Sequence, residues 1–538
     1  MAASPKSWIK QVLATIPFAA DIYWRTFDRG GPAANFTGRH SLEQLRRILP
    51  EWCEQAAKAR KMSPPGRDVM IFGTFRYWIE HTTLLGLTLS GLGHRVSLTY
   101  LPYAKYIIPA QRFDLQRQNA YVNSVLRRVK PLMNIDSIFN VRSMRGPLPP
   151  ILKELVKEAS YRDAQYVLRL EDVDMRNEQY NLRMARNELA ARNIFVWLRE
   201  HTCQVLIIPN GSILEYGIVY RIARYLNIPV VTYEFDEPRQ RIRLAQDAEV
   251  MREETDALWE ARGSLQLDAD KLERARSLFT ARQGGDLWEN FSTSFQGVPR
   301  QGENSARLEL GLDSRSIVLL APNTFGDSAT LSRQVFSKGM SDWLASTVEY
   351  FSSRPEVQLV IRVHPSEARM TYGTSMAEVV KQSMPNLPEN IHLVLADASV
   401  NTYDLIEMAD LGLVYTTTVG MEMAMTGVPV IVAGFTHYRG KGFTLDPDSW
   451  QAYFETIDRI LKTPDNHRLS EQQINDAWHY AYRFFFDFTR PFPWHLLYFW
   501  DDVREWPLDR VLGDEGQELF SDTFHHLVGE PLDWRTLQ

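Results

Sequence analysis

At 538 residues the chain is too long for one compact core, and its 44% hydrophobic and 23% charged residues are those of a folded protein. Its 60 basic and 66 acidic residues give a net charge of −6, without the global positive field that non-specific nucleic-acid binding needs. Cys53 and Cys203 lack metal-ligand or Cys-x-x-Cys spacing, and no apolar run approaches the ~20 residues that span a bilayer, so the sequence reads as cytoplasmic. The N-terminal arm, 1–64, carries Trp8, Ile9, Val12, Leu13 and Ile16 at helical spacing among Lys6, Lys10 and Arg25. A helix packed on the protein's own surface is the favoured reading, because Pro17 interrupts the pattern. The alternative is a weak interfacial helix, which would hold the chain peripherally at the inner face of the cell membrane.

Asp68-Val-Met-Ile-Phe-Gly73, a helical stretch over 82–92, and the run from Gly93 to Tyr100 read as strand, helix, strand. After a charged helical insertion over 150–201, the rhythm returns in Gln204-Val-Leu-Ile-Ile-Pro209, a helix over 216–226 and Asn227-Ile-Pro-Val-Val-Thr-Tyr233. These define a first Rossmann-like domain, 65–240. The strand signal lapses over 241–310, read as a helical connector. Five apolar runs follow, over 316–321, 357–363, 391–395, 411–415 and 428–432, each separated by helical segments. They predict a second doubly wound domain, 311–465. The tail, 466–538, is dense in aromatics from Trp478 to Trp500 and reads as packing that straps one domain to another.

Two such domains place the carboxyl ends of both sheets toward a shared cleft, so chemistry is expected in loops just after strands. In Arg362-Val-His364-Pro365, two polar side chains share one face at the end of an otherwise apolar strand, well placed for a phosphate. Thr416, Thr417 and Thr418 precede a helix, offering hydroxyls, with Gly420 for close approach and Glu422 one turn in for ribose hydroxyls. Asn323, Asp327 and Ser328 follow the first strand of the second domain, and His437, Arg439 and Lys441 lie on a glycine-hinged loop after its last. In the first domain Glu80, in a loop with Arg76, Tyr77 and His81, and Glu234, beside Asp236, are candidates for a general base. Asp172-Val-Asp174 reads as a solvated helix face rather than a metal site, and the sequons at Asn35 and Asn290 as chance patterns.

The order of Asn323 to Asp327, Arg362-Val-His-Pro365, Thr416 to Glu422 with Gly427-Val-Pro-Val, and Gly442-Phe-Thr-Leu-Asp446 resembles the bacterial capsule polysaccharide synthesis glycosyltransferases, Kdo transferases among them. Pro209-Asn-Gly211 and Tyr233-Glu-Phe235 extend the likeness weakly. Two departures stand out: Phe325-Gly326 precedes the aspartate where a bulkier aromatic is expected, and the first domain lacks the acidic pair followed by glycine that sialyltransferases have. The resemblance implies an α/β, GT-B-like fold of two Rossmann-like domains facing a cleft, with His364 near the donor phosphate. It implies transfer from a nucleotide-sugar donor, CMP-linked by preference, to a surface or capsular polysaccharide or lipid-linked glycan. No cofactor beyond that donor and no metal are expected. The alternatives are a CDP-linked glycerol- or ribitol-phosphate transferase of teichoic-acid type, and a catalytically silent protein of the same fold that binds glycan.

Overall fold

Apolar runs flanked by turn residues become strands because a parallel strand buried on both faces tolerates little polarity. In the computed structural model, which describes residues 5–32, 41–289 and 298–536, the first group comprises β1 (Asp68–Thr74), β2 (Arg95–Leu101), β3 (Met133–Ser137), β4 (Val205–Pro209), β5 (Val230–Phe235) and β6 (Arg241–Gln246). The second comprises β7 (Ser316–Ala321), β8 (Val357–Arg362), β9 (Ile391–Val394), β10 (Leu411–Val414) and β11 (Val430–Val432); β12 (Arg490–Pro491) lies in the tail. Within the first sheet β3-β2-β1-β4-β5 are parallel, and β6 and β12 add antiparallel edges. The second sheet is wholly parallel, ordered β11-β10-β7-β8-β9. Both are doubly wound sheets whose order reverses beside the first strand, between β1 and β4 and between β7 and β10. Ligands of such sheets bind at that reversal, outside the strand ends.

The tail belongs to both cores. Ala477, Tyr480, Phe484, Phe485 and Phe488 pack with Met421 and Val430 of the second domain. Phe492, Trp494, Phe499 and Phe524 pack with Phe72, Leu206 and Tyr233 of the first. β6 falls inside the stretch read from sequence as helical connector. Its alternation of Ile242 and Leu244 with Arg241 and Arg243 is the pattern of a half-covered strand, and β12 pairs along it. The rest of that stretch contributes Leu258, Ala275, Leu278 and Ala306 to the second core.

A turn of the first domain is seated in the second. Arg169, at φ 52°, ends the helix Pro150–Leu168. It fits between Gly326 and Gly373, where an added Cβ would come within 2.7 Å of Arg169 in both cases. The neighbouring Glu171 carboxylate accepts from the amides of Met340 and Ser341, capping the helix Met340–Ser352. Asp172 and Asp174 lie exposed on the next turn, not on a helix, and Asp174 pairs with Arg176.

Among the described residues no helix is long and apolar enough to cross a membrane. The arm forms the helices Pro5–Leu13 and Ala19–Thr26, packed on the helix Arg112–Leu126. Leu13 and Ala14 face inward, but Trp8 remains 62% exposed and Ile9, Val12 and Ile16 are exposed beside it. The apolar face expected to pack on the protein therefore turns outward. Both sequons lie outside the described residues.

Candidate functional site

Two cavities lie beyond the end of β8. The smaller, about 100 Å³, lies at the β7–β10 reversal and is lined by Ala321, Pro322, Arg362, His364, Thr417, Thr418 and Glu422, with Arg282, Tyr403 and Glu237. The larger, about 530 Å³, lies between the domains, lined by Tyr106, Tyr166 and Arg169 on one side and by Asp327, Ser366, Arg369 and Tyr372 on the other.

His364 lines the smaller cavity, and Ser366, two residues on, lines the larger. The His364 Nδ1 accepts the Ser366 backbone N–H at 3.1 Å and lies 2.7 Å from the Ser366 hydroxyl. A backbone N–H only donates, so the neutral ring carries its proton on Nε2. Burial lowers the pKa of the imidazole; Asp327 opposes that shift and Arg362 reinforces it. The ring is thus a neutral Nε2–H donor at pH 7, held in orientation by the same contact that caps the turn Pro365–Arg369. Arg362 bonds the Leu395 carbonyl, and its Nε lies 3.4 Å from Thr402 Oγ1. Burial lowers its pKa to about 10, which leaves it cationic at neutral pH.

Glu422 sits across the cavity. It accepts from Arg282 Nη2 at 3.2 Å and from the Tyr403 hydroxyl, while Arg282 Nη1 donates to Glu237 at 2.5 Å. Against the penalty of burial, the charges of Glu237 and Glu422 favour the ionised guanidinium. Arg282 comes from the helix Ala269–Gly284, within the connector. Nothing in its local pattern marks it, because packing of that helix on the tail brings it here. Tyr403 had a local signal, since Asn401 caps the helix Thr402–Glu407 just after a strand.

The threonine loop divides its labour. Asn323 Oδ1 accepts from both the amide and the hydroxyl of Thr416 at 3.0 Å, tying the β7 and β10 loops together. Thr416 therefore faces Asn323, while Thr417 and Thr418 line the cavity. Gly420 makes no room for a ligand. A Cβ there would lie 2.4 Å from the Tyr438 hydroxyl, which donates to the Thr417 carbonyl at 2.6 Å. Arg439 and Lys441 also stay away from both cavities. Arg439 donates to the carbonyls of Val432, Asp446 and Pro447 and closes its own loop, while Lys441 pairs with Asp256 and ties the loop to the helix Asp256–Arg262. His437 is stacked on Phe484 with centroids 3.8 Å apart and is likewise structural.

On the first-domain side, Glu234 closes β5 and accepts from Asn210 Nδ2 at 2.9 Å. Asn210-Gly211 makes a left-handed turn, and a Cβ on Gly211, at φ 78°, would strike Thr232 at 2.5 Å. Burial raises the Glu234 carboxyl, opposed first by Asn210. Burial also raises Tyr166, and the charges of Glu234 and Asp327 add to it, so both carboxylates act on a residue that lines the cleft. Glu80 is not brought to either cavity. It is buried, with Arg76 3.7 Å away and Trp500 of the tail beside it, and burial pushes its carboxyl up to about 7. A folded pKa above the ordinary 4.5 means that stability is lost as pH rises from 4.5 through about 7. Glu80→Gln should therefore stabilise the protein by up to about 3 kcal/mol at pH 8, a gain that vanishes near pH 5 in paired urea titrations.

With this geometry in place, residues 297–475 match the family model described as "Capsule polysaccharide biosynthesis protein". That segment, about a third of the chain, is similar to the capsule polysaccharide biosynthesis family. It contains the β7, β8, β10 and β11 loops and hence most of the smaller cavity. No curated protein matches the sequence. Among solved structures, a KpsC beta Kdo 2,4 transferase of Thermosulfurimonas dismutans is 15% identical, with TM-score 0.34, covering 51% of this chain and 79% of its own. The UDP-GlcNAc 2-epimerase of Neisseria meningitidis is 13% identical, with TM-score 0.25, covering 79% and 99%. The wall teichoic acid polymerase TagF is 10% identical, with TM-score 0.21, covering 89% and 94%.

Proposed function

We propose that the protein is a glycosyltransferase that moves a sugar from a nucleotide-activated donor to a bacterial surface or capsular polysaccharide, free or lipid-linked. One observation carries this reading: His364, its Nδ1 held by the Ser366 N–H and its proton on Nε2, lines a cavity with Arg362 and Arg282, while Ser366 lines the interdomain cleft. The donor diphosphate or phosphate lies against Arg362, His364, Thr417 and Thr418, and Glu422 accepts from ribose hydroxyls. An acceptor hydroxyl in the cleft loses its proton to Glu234. Its oxygen bonds the anomeric carbon as the bond to the phosphate oxygen breaks, and the nucleotide leaves with that electron pair. The cations and the Nε2–H act where the charge develops.

The donor we assign is a CMP-sugar, on the sequence resemblance alone. In a thermal-shift panel of CMP, CDP, UDP and GDP, CMP should stabilise the protein by about 2.7 kcal/mol at a hundredfold excess over its Kd. Stabilisation by none of the four would overturn the donor site. Phosphorus added to the acceptor would instead assign polyol-phosphate transfer, and nucleotide binding without transfer a silent protein. Glu234→Gln should lower kcat about a hundredfold, at the low end for a general base, with unchanged nucleotide affinity. Wild-type turnover in that variant would place the base elsewhere.

A further inference from the structure

The arm has two faces of opposite character. Its inner face is fastened to the helix Arg112–Leu126: Lys10 pairs with Asp114 at 2.7 Å, Arg117 pairs with Asp28, and the Arg117 guanidinium lies 4.5 Å from the centre of the Tyr23 ring. Its outer face presents Trp8, Ile9, Val12, Ile16, Phe18 and Phe27, with Phe18 75% and Phe27 72% exposed. Phe18 adopts φ 62°, a left-handed conformation that a bulky residue rarely takes, at the bend between the two helices. Surface of this kind is not what a monomer in water exposes.

The charges around that face point to its occupant. Arg25, Arg29 and Arg112 are exposed, with no acidic partner among the described residues. Of the two acids within residues 5–29, Asp28 is neutralised by Arg117, which leaves Asp21. Behind the Ile16–Phe18 bend lies a polar cavity of about 350 Å³ lined by Arg112, Gln116, Asn119 and Asn123, alongside Asp21. An apolar face rimmed by free guanidiniums and backed by amides matches a bilayer surface, with acyl chains under the rings and phosphates at the arginines.

We infer that residues 5–29 dock the protein on a membrane bearing anionic phospholipids. The docking stands independently of the transfer chemistry proposed above.

The full chain is to be sedimented with vesicles of phosphatidylcholine alone or of phosphatidylcholine and phosphatidylglycerol in equal parts. It should pellet with the mixed vesicles and be released by salt. Trp8→Glu with Phe18→Glu should lower the bound fraction roughly tenfold or more. Arg25→Glu with Arg29→Glu should lower it by a similar factor on the mixed vesicles alone. A milder pair, Ile9→Ser with Phe27→Ser, should also bind less, and all three pairs should keep the wild-type Tm because the sites are exposed. Wild-type protein left in the supernatant would overturn the inference, as would either apolar variant pelleting like wild type. So would a dimer, seen by sedimentation velocity without lipid, that the Trp8→Glu, Phe18→Glu pair dissociates, because a second copy would then cover the face.

Discussion

Replacing His364 by alanine is expected to lower kcat by roughly 10²–10³, the usual cost of one preorganised donor to a developing oxyanion. Donor affinity should change less, because in the proposed complex the ground-state phosphate also lies against Arg362 and the threonines that line the cavity. The imidazole also caps its turn through Ser366 N–H, so a loss of about 1 kcal/mol in stability should accompany the catalytic loss. His364→Asn, able to accept that N–H, should recover the stability without the turnover. The pH profile provides a second check. Burial lowers the folded pKa below the ordinary 6.5, so the unfolded state binds the proton first and stability falls as pH drops below about 6.5. Activity should be level from pH 7 upward and decline on the acid side, where an imidazolium would lose the Nδ1 lone pair that orients it. A variant with full turnover and normal melting would remove His364 from the mechanism.

Arg282→Met should be the most destabilising single change near the site, by about 3–5 kcal/mol at pH 7, because it strands Glu237 and Glu422 without their shared cation. Burial already raises Glu237, and the guanidinium opposes that rise. Without it, the folded carboxyl takes up a proton well above the pH at which the unfolded one does, so stability should recover as pH falls toward 5. Urea melts of wild type and variant at pH 5 and pH 7.5 measure this directly. A deficit that stays constant with pH would mean that packing against Phe279 and Phe485, rather than charge, is what Arg282 provides. Glu422→Ala should be gentler on folding, since Arg282 keeps Glu237, while weakening nucleotide binding by roughly 1.5–3 kcal/mol. The coupling of Glu422 to Arg282 and Tyr403 means that its loss also lowers the unliganded Tm, which a solvent-facing carboxylate would not do.

The parallel strands were legible because burial on both faces writes them as unbroken apolar runs; β7 and β8 begin and end within a residue of those runs. β3, β6 and β12 were not. β3 and β12 are edge strands and β6 lies next to an edge, so each is stabilised by what lies beside it, and β12 exists because the tail returns to β6. The same division holds for the site. Arg362, His364, Thr417, Thr418 and Glu422 come together because Arg362 ends its strand and the others lie in the loop or first helical turn after theirs, a placement that local sequence encodes. Arg282 and Arg169 arrive from helices whose docking is settled by the whole fold. Glycine-hinged cations at Arg439 and Lys441 looked like phosphate ligands, yet carbonyls of the loop itself and Asp256 satisfy them first. Sequence spacing carries no record of that competition.

The double membership of the tail has a consequence during synthesis. The first sheet has all its parallel strands once Phe235 emerges, but Phe492, Trp494 and Phe499, which cover it, emerge some 250 residues later. At ~5–20 residues per second, the ribosome leaves that face bare for on the order of 10–50 s. During this interval the second domain is made and folds, and the unpaired edge of β6 waits beside exposed Tyr233 and Phe235. The amino-terminal half of the polypeptide is thus sealed last, and its demand for chaperones should peak while the carboxyl-terminal half is being translated.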